Sequence, residues 1–455
     1  MNNYEVYKKI DIPWLGEIPS HWETKKIGKI FDIRKEKNSP VKTKEVLSLS
    51  SMYGVSLYSE RKEKGGNKPK ENLEAYNLCY PGDILVNSMN IVAGSVGISN
   101  YFGAISPVYY SLQNLSEKKY SKYYLEYLFR NYNFQRSLVG LGKGIQMSET
   151  EDGRLFTVRM RISWDTLKSQ EFPTPPISEQ IQIANYLDWK INEIDKLILI
   201  EKEQIKELEN LKQKYIDEIY QNIKTKNFIS LSKIGTFFKG GGFSRENLSG
   251  SDYGAILYGD IYTKYNYFFE ECISKIDENA YFNSKCIDGN VVLFTGSGET
   301  KEDIGKSVAY VGTKKIALGG DIIALKPNKN FSPKFIAYFS NTSNIKAFKH
   351  MKSTGDIIVH ITLGAIKSIK IPFISIEEQK DIVKKIDEYI LNLKNLIALI
   401  EDKIKYFLSL KQSLIAEVVT GKIDVRNITI PQYEKVETIF ETDNIDEMEV
   451  QNYGD

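Results

Sequence analysis

Two short glycine loops each carry a lysine: Leu141–Gly144 (LGKG) and Lys239–Gly242 (KGGG). A loop of this kind can bring backbone N–H groups and a cation close to phosphate. The same pattern also serves as a plain turn with a solvated lysine. Histidine, the usual proton shuttle near neutral pH, occurs only as His21, His350 and His360. His350 and His360 lie near each other but without Cys or carboxylate at metal-ligand spacing, so no metal is expected.

Other motifs fail on inspection. Val291–Glu299 (VVLFTGSGE) looks like a strand and Gly-x-Gly turn that holds S-adenosylmethionine, but no amphipathic helix follows and no Asn-Pro-Pro-Tyr or Asp-Pro-Pro-Tyr motif occurs. Gly298–Ser307 (GETKEDIGKS) approaches a P-loop, yet threonine stands at position 300 where that motif needs glycine. The acidic residues show no paired hydrolase pattern. The expectation is a chain without a catalytic centre and with no cofactor of its own.

Composition agrees with a folded protein. The 455 residues are 42% hydrophobic and 26% charged, enough for two or three domains. Cys79, Cys272 and Cys286 are too few for a disulfide framework and make no C-x-x-C. A reduced, cytoplasmic setting follows, with no apolar run near the ~20 residues of a membrane span and no apolar signal core. The net charge of +2 conceals an asymmetry. Residues 427–455 hold eight acids and one lysine (−7), leaving 60 basic against 51 acidic residues elsewhere (+9). A basic body suits a polyanion, and equally suits solubility alone.

What must position these residues is an internal repeat. At an offset of 199, Pro173 pairs with Pro372, Ile177 with Ile376, Glu179 with Glu378, Gln180 with Gln379 and Asp188 with Asp387. Both copies open long helices. Ile191, Ile194, Ile198, Glu201, Ile205, Leu208, Lys212, Tyr215 and Ile219 alternate at spacings of three and four, a heptad seam. Ile390, Leu393, Ile397, Ile400, Ile404, Phe407, Lys411, Leu414 and Val418 repeat it in the same register. Each stripe needs a cover, and pairing of the two copies with each other is preferred to packing of each helix on its own domain. Ser375 with Glu378 reads as a capping box, and Thr420-Gly421 as a helix stop. A helix over Ser178–Ile223 would run roughly 65–70 Å.

The regions before the helices also repeat. SKYYLEYLF (from Ser121) matches SPKFIAYFS (from Ser332) at an offset of 211, both with the spacing of a helix that buries one face. PGDILVNS (from Pro81) matches DGNVVLFT (from Asp288), and GAISPVYYSLQ (from Gly103) matches GGDIIALKP (from Gly319), each a turn leading into a strand. The organisation is domain, helix, domain, helix, tail: residues 1–176, 177–226, 227–373, 374–426 and 427–455.

These residues resemble the specificity subunits of type I restriction–modification systems. Ile12–Gly28 (IPWLGEIPSHWETKKIG) is similar to the start of a first target-recognition domain, and Lys239–Thr263 to the glycine-rich start of a second. PPISEQ (Pro175–Gln180) and ISIEEQ (Ile374–Gln379) look like the openings of the two conserved helical regions, and Ser409–Arg426 like the family's ending. The likeness covers roughly residues 10–426. ISIEEQ lacks the double proline, the first helix ends without Thr-Gly-Lys, and the acidic tail has no counterpart.

The resemblance implies an α+β fold: two α/β target-recognition domains joined and separated by two long antiparallel helices, related by a pseudo-two-fold axis. It implies a non-catalytic subunit that reads an asymmetric, bipartite site on double-stranded DNA. Two modification subunits would dock on it and methylate adenine using S-adenosylmethionine, and restriction subunits would add ATP- and Mg-dependent translocation and cleavage. The seam Ile191–Ile219 covers roughly 43 Å, against about 34–36 Å for a turn of B-DNA. The helices thus read as a spacer, and four residues inserted after Glu209 should alter the gap between half-sites. Candidate DNA contacts are Lys143 and Gln146 near the first glycine loop, Lys239 and Arg245 beside Gly240–Gly242, and Lys352 and Thr354 in the second half. Candidate inter-helix packing residues are Ile191, Ile194, Ile198, Ile205, Leu208, Ile390, Leu393, Ile397, Ile404 and Phe407. The competing readings are a coiled-coil structural adaptor that binds proteins, and a methyltransferase or nuclease, against which the missing motifs argue.

Overall fold

Ile84–Asn87 (ILVN) is buried at every position, as a strand with packing on both faces must be. It is central to the first of two units, Met1–Lys202 with Glu401–Asp455; the second is Glu203–Ile400. The chain is described here from a computed structural model, over residues 3–51, 54–61, 68–142, 147–149, 155–157, 160–355 and 358–436.

In the first unit the elements that matter are β1 (Glu23–Lys26), β2 (Phe31–Ile33), β3 (Ile84–Asn87), β4 (Val96–Ile98) and β5 (Tyr109–Asn114). The last four form an antiparallel sheet in the order β2-β5-β3-β4. Two helices follow, α1 (Lys122–Arg130) and α2 (Tyr132–Leu138). Helix α1 buries Tyr124, Leu125, Leu128 and Phe129, the one-face pattern expected from the sequence. Asn131 caps α2, its side chain accepting the N–H groups of Asn133 and Phe134. Strand β6 (Glu171–Thr174) pairs with β1, tying the end of the domain to its beginning. Helix α3 (Ile177–Gln221) starts immediately afterwards.

The second unit repeats this plan: β7 (Phe228–Ser230), β8 (Gly235–Lys239), β9 (Phe268–Phe269), β10 (Val291–Thr295), β11 (Ser307–Tyr310), β12 (Ile322–Pro327), α4 (Pro333–Ser340), α5 (Ser343–Lys352), β13 (Lys370–Pro372) and α6 (Ile376–Val419). Its sheet runs β8-β12-β10-β11-β9, antiparallel except at β9. Strand β7 pairs with β13 as β1 does with β6.

Within each unit the long helices pack side by side. In the first, Ile194 and Ile198 share a core with Leu414, Ile415 and Val418, and Ile191, Ile404 and Phe407 pack against its edge. Lys411 Nζ lies 2.8 Å and 2.9 Å from the two carboxylate oxygens of Asp195, and Lys403 Nζ lies 2.6 Å from Glu201. In the second, Tyr215 stacks on Tyr389 with ring centroids 3.8 Å apart. Ile216 and Tyr220 join Val383 and Ile386 in one core, with Ile390 at its edge. Leu393 is buried, and Ile205, Leu208 and Ile397 are half-buried. In both units rising numbers along α3 meet falling numbers along α6, so the helices run antiparallel.

The ends of α6 have local causes. Ser375 N–H donates to Glu378 Oε2 at 3.0 Å while Glu378 N–H donates to Ser375 Oγ at 3.2 Å, closing the capping box. Gly421 turns at φ +75°, and a Cβ there would fall 2.4 Å from Pro19 Cδ. Both the backbone angle and the close approach require glycine.

Beyond α6 the chain lies along α3. The amide of Gln182 donates to the carbonyls of Val425 (3.0 Å) and Ile428 (2.7 Å). Asn192 donates to the Glu434 carbonyl at 3.0 Å and accepts the Val436 N–H at 2.8 Å. The first residues of the acidic segment are therefore part of the first unit. Among the described residues no helix is long and apolar enough to cross a membrane.

Candidate nucleic-acid interface

Each domain is fastened to its long helix by the same two side chains. Gln180 Oε1 accepts the Ser121 N–H at 2.9 Å, and its amide donates to the carbonyls of Lys119 (3.0 Å) and Pro175 (2.8 Å). Gln379 repeats the set with the Ser332 N–H (2.9 Å) and the carbonyls of Asn330 (3.0 Å) and Ile374 (3.1 Å). About two turns further on, Asp188 accepts the Tyr127 hydroxyl at 2.6 Å, and Asp387 accepts that of Tyr338 at 2.5 Å. Burial first, and the carboxylate second, push both phenols well above their ordinary range. Lys334 adds an ion pair to Asp387 at 3.0 Å; at Asp188 the cation is Lys435, at 3.6 Å, from the segment after α6.

This anchoring leaves loops at one end of the sheet in the second unit. Lys239 ends β8 opposite Ile323, Thr295 ends β10 opposite Ile322, and Ser307 starts β11 opposite Phe294. The loops after β8, between β10 and β11, and before β12 therefore converge. Residues 353–355 and 358–361 join them: Gly298 pairs with Val359, and Thr354 and His360 exchange backbone bonds of 3.0 Å and 2.8 Å. Ser297 Oγ meets His360 Nδ1 at 2.8 Å.

The sequence candidates fall as follows. Lys239, Arg245, Lys352 and Thr354 are exposed, on the loops or element ends just described. Lys143 and Gln146 lie outside the described residues. The KGGG loop has a structural role: the N–H of Gly240 donates to Ile322 O and that of Gly241 to Leu318 O, both at 2.9 Å. A Cβ on Gly240 would lie 2.0 Å from Gly319 O. Those two amides are committed to the protein and are not free to meet a phosphate. Arg245 lines a groove of about 720 Å³ with Phe243, Tyr258, Thr300 and Asp321. Tyr258 is 42% exposed. Asp260 is buried and holds the groove's wall: its carboxylate accepts the Leu257 N–H (2.8 Å) and the Ser274 hydroxyl (3.0 Å) and pairs with Lys264 (2.9 Å). Exposed cations on convergent loops can meet phosphates, and neighbouring Thr, Arg and aromatic groups can meet base edges or faces. Among the described residues no group of three or more His, Cys, Asp or Glu side chains is placed to hold a metal ion.

A second surface escaped the sequence reading. Leu396, Leu399, Tyr406 and Leu410 of α6 are exposed, as are Leu197, Ile200 and Leu211 of α3. On α6 they follow heptad spacing along a face other than the buried seam, with Lys403 at the intervening position. The signal was present as a second set of three-and-four spacings, overshadowed by the stronger first.

Comparison with known proteins now bears on these surfaces. The sequence profile described as type I restriction modification DNA specificity domain matches the chain twice, over residues 19–210 and 223–406. The chain belongs to that family. This specificity chain is 26% identical over 449 residues to the putative type I restriction enzyme MjaX specificity subunit of Methanocaldococcus jannaschii, covering 93% of this chain and 97% of that protein. The type I restriction enzyme StySPI specificity subunit of Salmonella potsdam matches at 26% over 148 residues, 32% of each chain. A chain solved in work on complex assembly and conformational transition of the type I R-M system shares its fold with a TM-score of 0.60 at 12% identity, over 89% of this chain and 99% of that one. The mixed two-domain architecture with long helices is thus that of a type I specificity subunit.

Proposed function

We propose that this specificity chain reads an asymmetric, bipartite sequence on double-stranded DNA, one half-site per domain, and directs adenine methylation there by partner subunits. The observation that carries the reading is the double match to a DNA specificity domain in one chain, each copy built on the same sheet and helix anchor. The loops that differ between the copies are where different bases would be read. Lys239, Arg245, Lys352 and Thr354, with Lys143 and Gln146 in the first half, are the proposed DNA contacts. Binding through such cations releases counterions from DNA and should weaken steeply with salt.

The chain acts in this reading as a non-catalytic, cytoplasmic subunit. Two modification subunits supply S-adenosylmethionine chemistry, and restriction subunits supply ATP- and Mg-dependent cleavage. The exposed stripe Leu396, Leu399, Tyr406 and Leu410 is the proposed docking face for a modification subunit. An adaptor that binds only proteins would use the same helices, but the paired DNA specificity domains speak against it.

The test is co-expression of the modification subunit with and without this chain, followed by single-molecule mapping of N6-methyladenine. A gapped, asymmetric motif present only with this chain is the expected result. Methylation that does not depend on the chain would overturn the proposal.

A further inference from the structure

Lys212 of α3, Lys306 beside β11, and Lys346 and Lys349 of α5 bring four amines to one cavity of about 320 Å³ in the second unit. Two carboxylates share the wall: Asp303, and Glu209, which lies 3.5 Å from Lys212. Three of the amines donate to neutral oxygens: Lys349 to Gly305 O at 2.6 Å, Lys306 to Tyr262 O at 3.1 Å, and Lys346 to Gln213 Oε1 at 3.2 Å. An ammonium has three donors, so each keeps capacity for a ligand. Lys349 is only 1% exposed. Burial, reinforced by Lys346 and opposed by Asp303, pushes its amine down to about 7; burial also lowers Lys306.

The internal repeat carries other residues at three of these four positions. The 211-residue offset that aligns Ser121 with Ser332 also aligns two left-handed glycines before equivalent strands, Gly94 (φ 77°) and Gly305 (φ 69°). It places Ser95, Gln135 and Leu138 opposite Lys306, Lys346 and Lys349. Leu138 is fully buried, so an apolar side chain fills that position well. The fourth lysine differs in another way. Lys411, the counterpart of Lys212, is held by Asp195, but the position matching Asp195 in the second copy is Lys394. Burying an amine where leucine fits costs stability, and several such amines converging on a cavity mark a binding site.

We propose that this cavity binds a multiply charged phosphate, a diphosphate or phosphate monoester, through Lys212, Lys306, Lys346 and Lys349. Three ammonium groups, and a fourth on Lys349 once a bound anion restores its charge, stand against two carboxylates and leave a surplus that a single negative charge would not balance. The volume sits at the small end of ligand pockets, roughly 300–1,000 Å³. The multiply charged phosphate is that of a free small molecule, since each phosphodiester of a DNA backbone carries a single charge.

The experiment is calorimetric titration of inorganic pyrophosphate into the full chain at pH 8, in two buffers of different ionisation enthalpy. Saturable binding with uptake of about one proton is expected, since the anion restores the charge on Lys349. Lys306→Ser, Lys346→Gln and Lys349→Leu install the first-copy residues and should each weaken binding about tenfold, or 1.4 kcal/mol. Lys349→Leu should also abolish the proton uptake while melting no lower than the parent. No saturable heat at millimolar pyrophosphate, or unchanged affinity in Lys349→Leu, would overturn the proposal. Repeating the titration with a saturating short duplex gives a second check: undisturbed binding supports a free phosphate compound as occupant, and displacement would assign the cavity to the singly charged diesters of a DNA backbone and overturn the proposal.

Discussion

The carboxamide oxygen of Gln379 accepts the backbone N–H of Ser332 at 2.9 Å, across 47 residues of chain. With its two donor bonds, this one buried side chain fastens the domain of the second unit to its long helix. Gln379→Ala would remove three hydrogen bonds to partly buried backbone groups, at a cost of about 0.5–1.5 kcal/mol for each bond lost. Hydrogen exchange should accelerate across residues 332–340 and stay unchanged across 121–130. Gln180→Ala should produce the reverse pattern, because its partners lie in the first unit.

Glu201 is buried within the helix seam, 2.6 Å from Lys403. Lys403→Met would leave that carboxylate uncompensated. The lysine is half exposed, so the loss should be moderate, about 1–2 kcal/mol. Urea denaturation should register it, and the double variant Glu201→Gln with Lys403→Met should recover most of it. Equal loss in single and double variants would show that the two charges are not coupled.

Lys349 should make the stability of the second unit depend on pH. Its amine is lowered from 10.5 to about 7 in the folded chain, so the unfolded state binds the extra proton between those values. Stability should therefore rise with pH from about 7 towards 10.5 and be flat below. Lys349→Leu should remove that slope and raise stability at pH 7 by something on the order of 3 kcal/mol. Denaturation midpoints at pH 7 and pH 10 measure both effects, and the difference between variant and parent should shrink at the higher pH.

Each domain is anchored to its own helix start by its own glutamine, so the domains should exchange independently. Replacing residues 1–176 with those of a related specificity subunit should change one half of the recognised sequence and leave the other intact. Methylation mapping of the chimera reads this out directly. Change in both halves, or in neither, would count against one half-site per domain.

The exposed stripe on α6 should matter for assembly and little for folding. Leu399→Asp with Tyr406→Asp places two charges on side chains that are 66% and 64% exposed. Exposed substitutions of this kind move stability by about 0.5 kcal/mol or less. Co-purification of the modification subunit should fall sharply while the melting temperature of the chain alone is retained.

The sequence by itself determined whatever depends on near neighbours. The heptad spacing from Ile191, the Ser375–Glu378 box and the glycine stop at Gly421 are local patterns, readable because helix period and end chemistry act within a turn or two. The repeat was legible for the same reason, since Gln180 and Gln379 head two copies of one pattern. Only the tertiary structure decided what those residues hold. Gln379 reaches a backbone N–H far back in the chain, the amides of Gly240 and Gly241 are taken by carbonyls some 80 residues on, and the chain after α6 returns to lie on Asn192. The amines of Lys212, Lys306 and Lys349 come from three separate segments, and no spacing in a linear chain announces that they share one cavity. Such contacts depend on how packed elements bring distant segments together, and that information resides in the whole core rather than in any stretch of it.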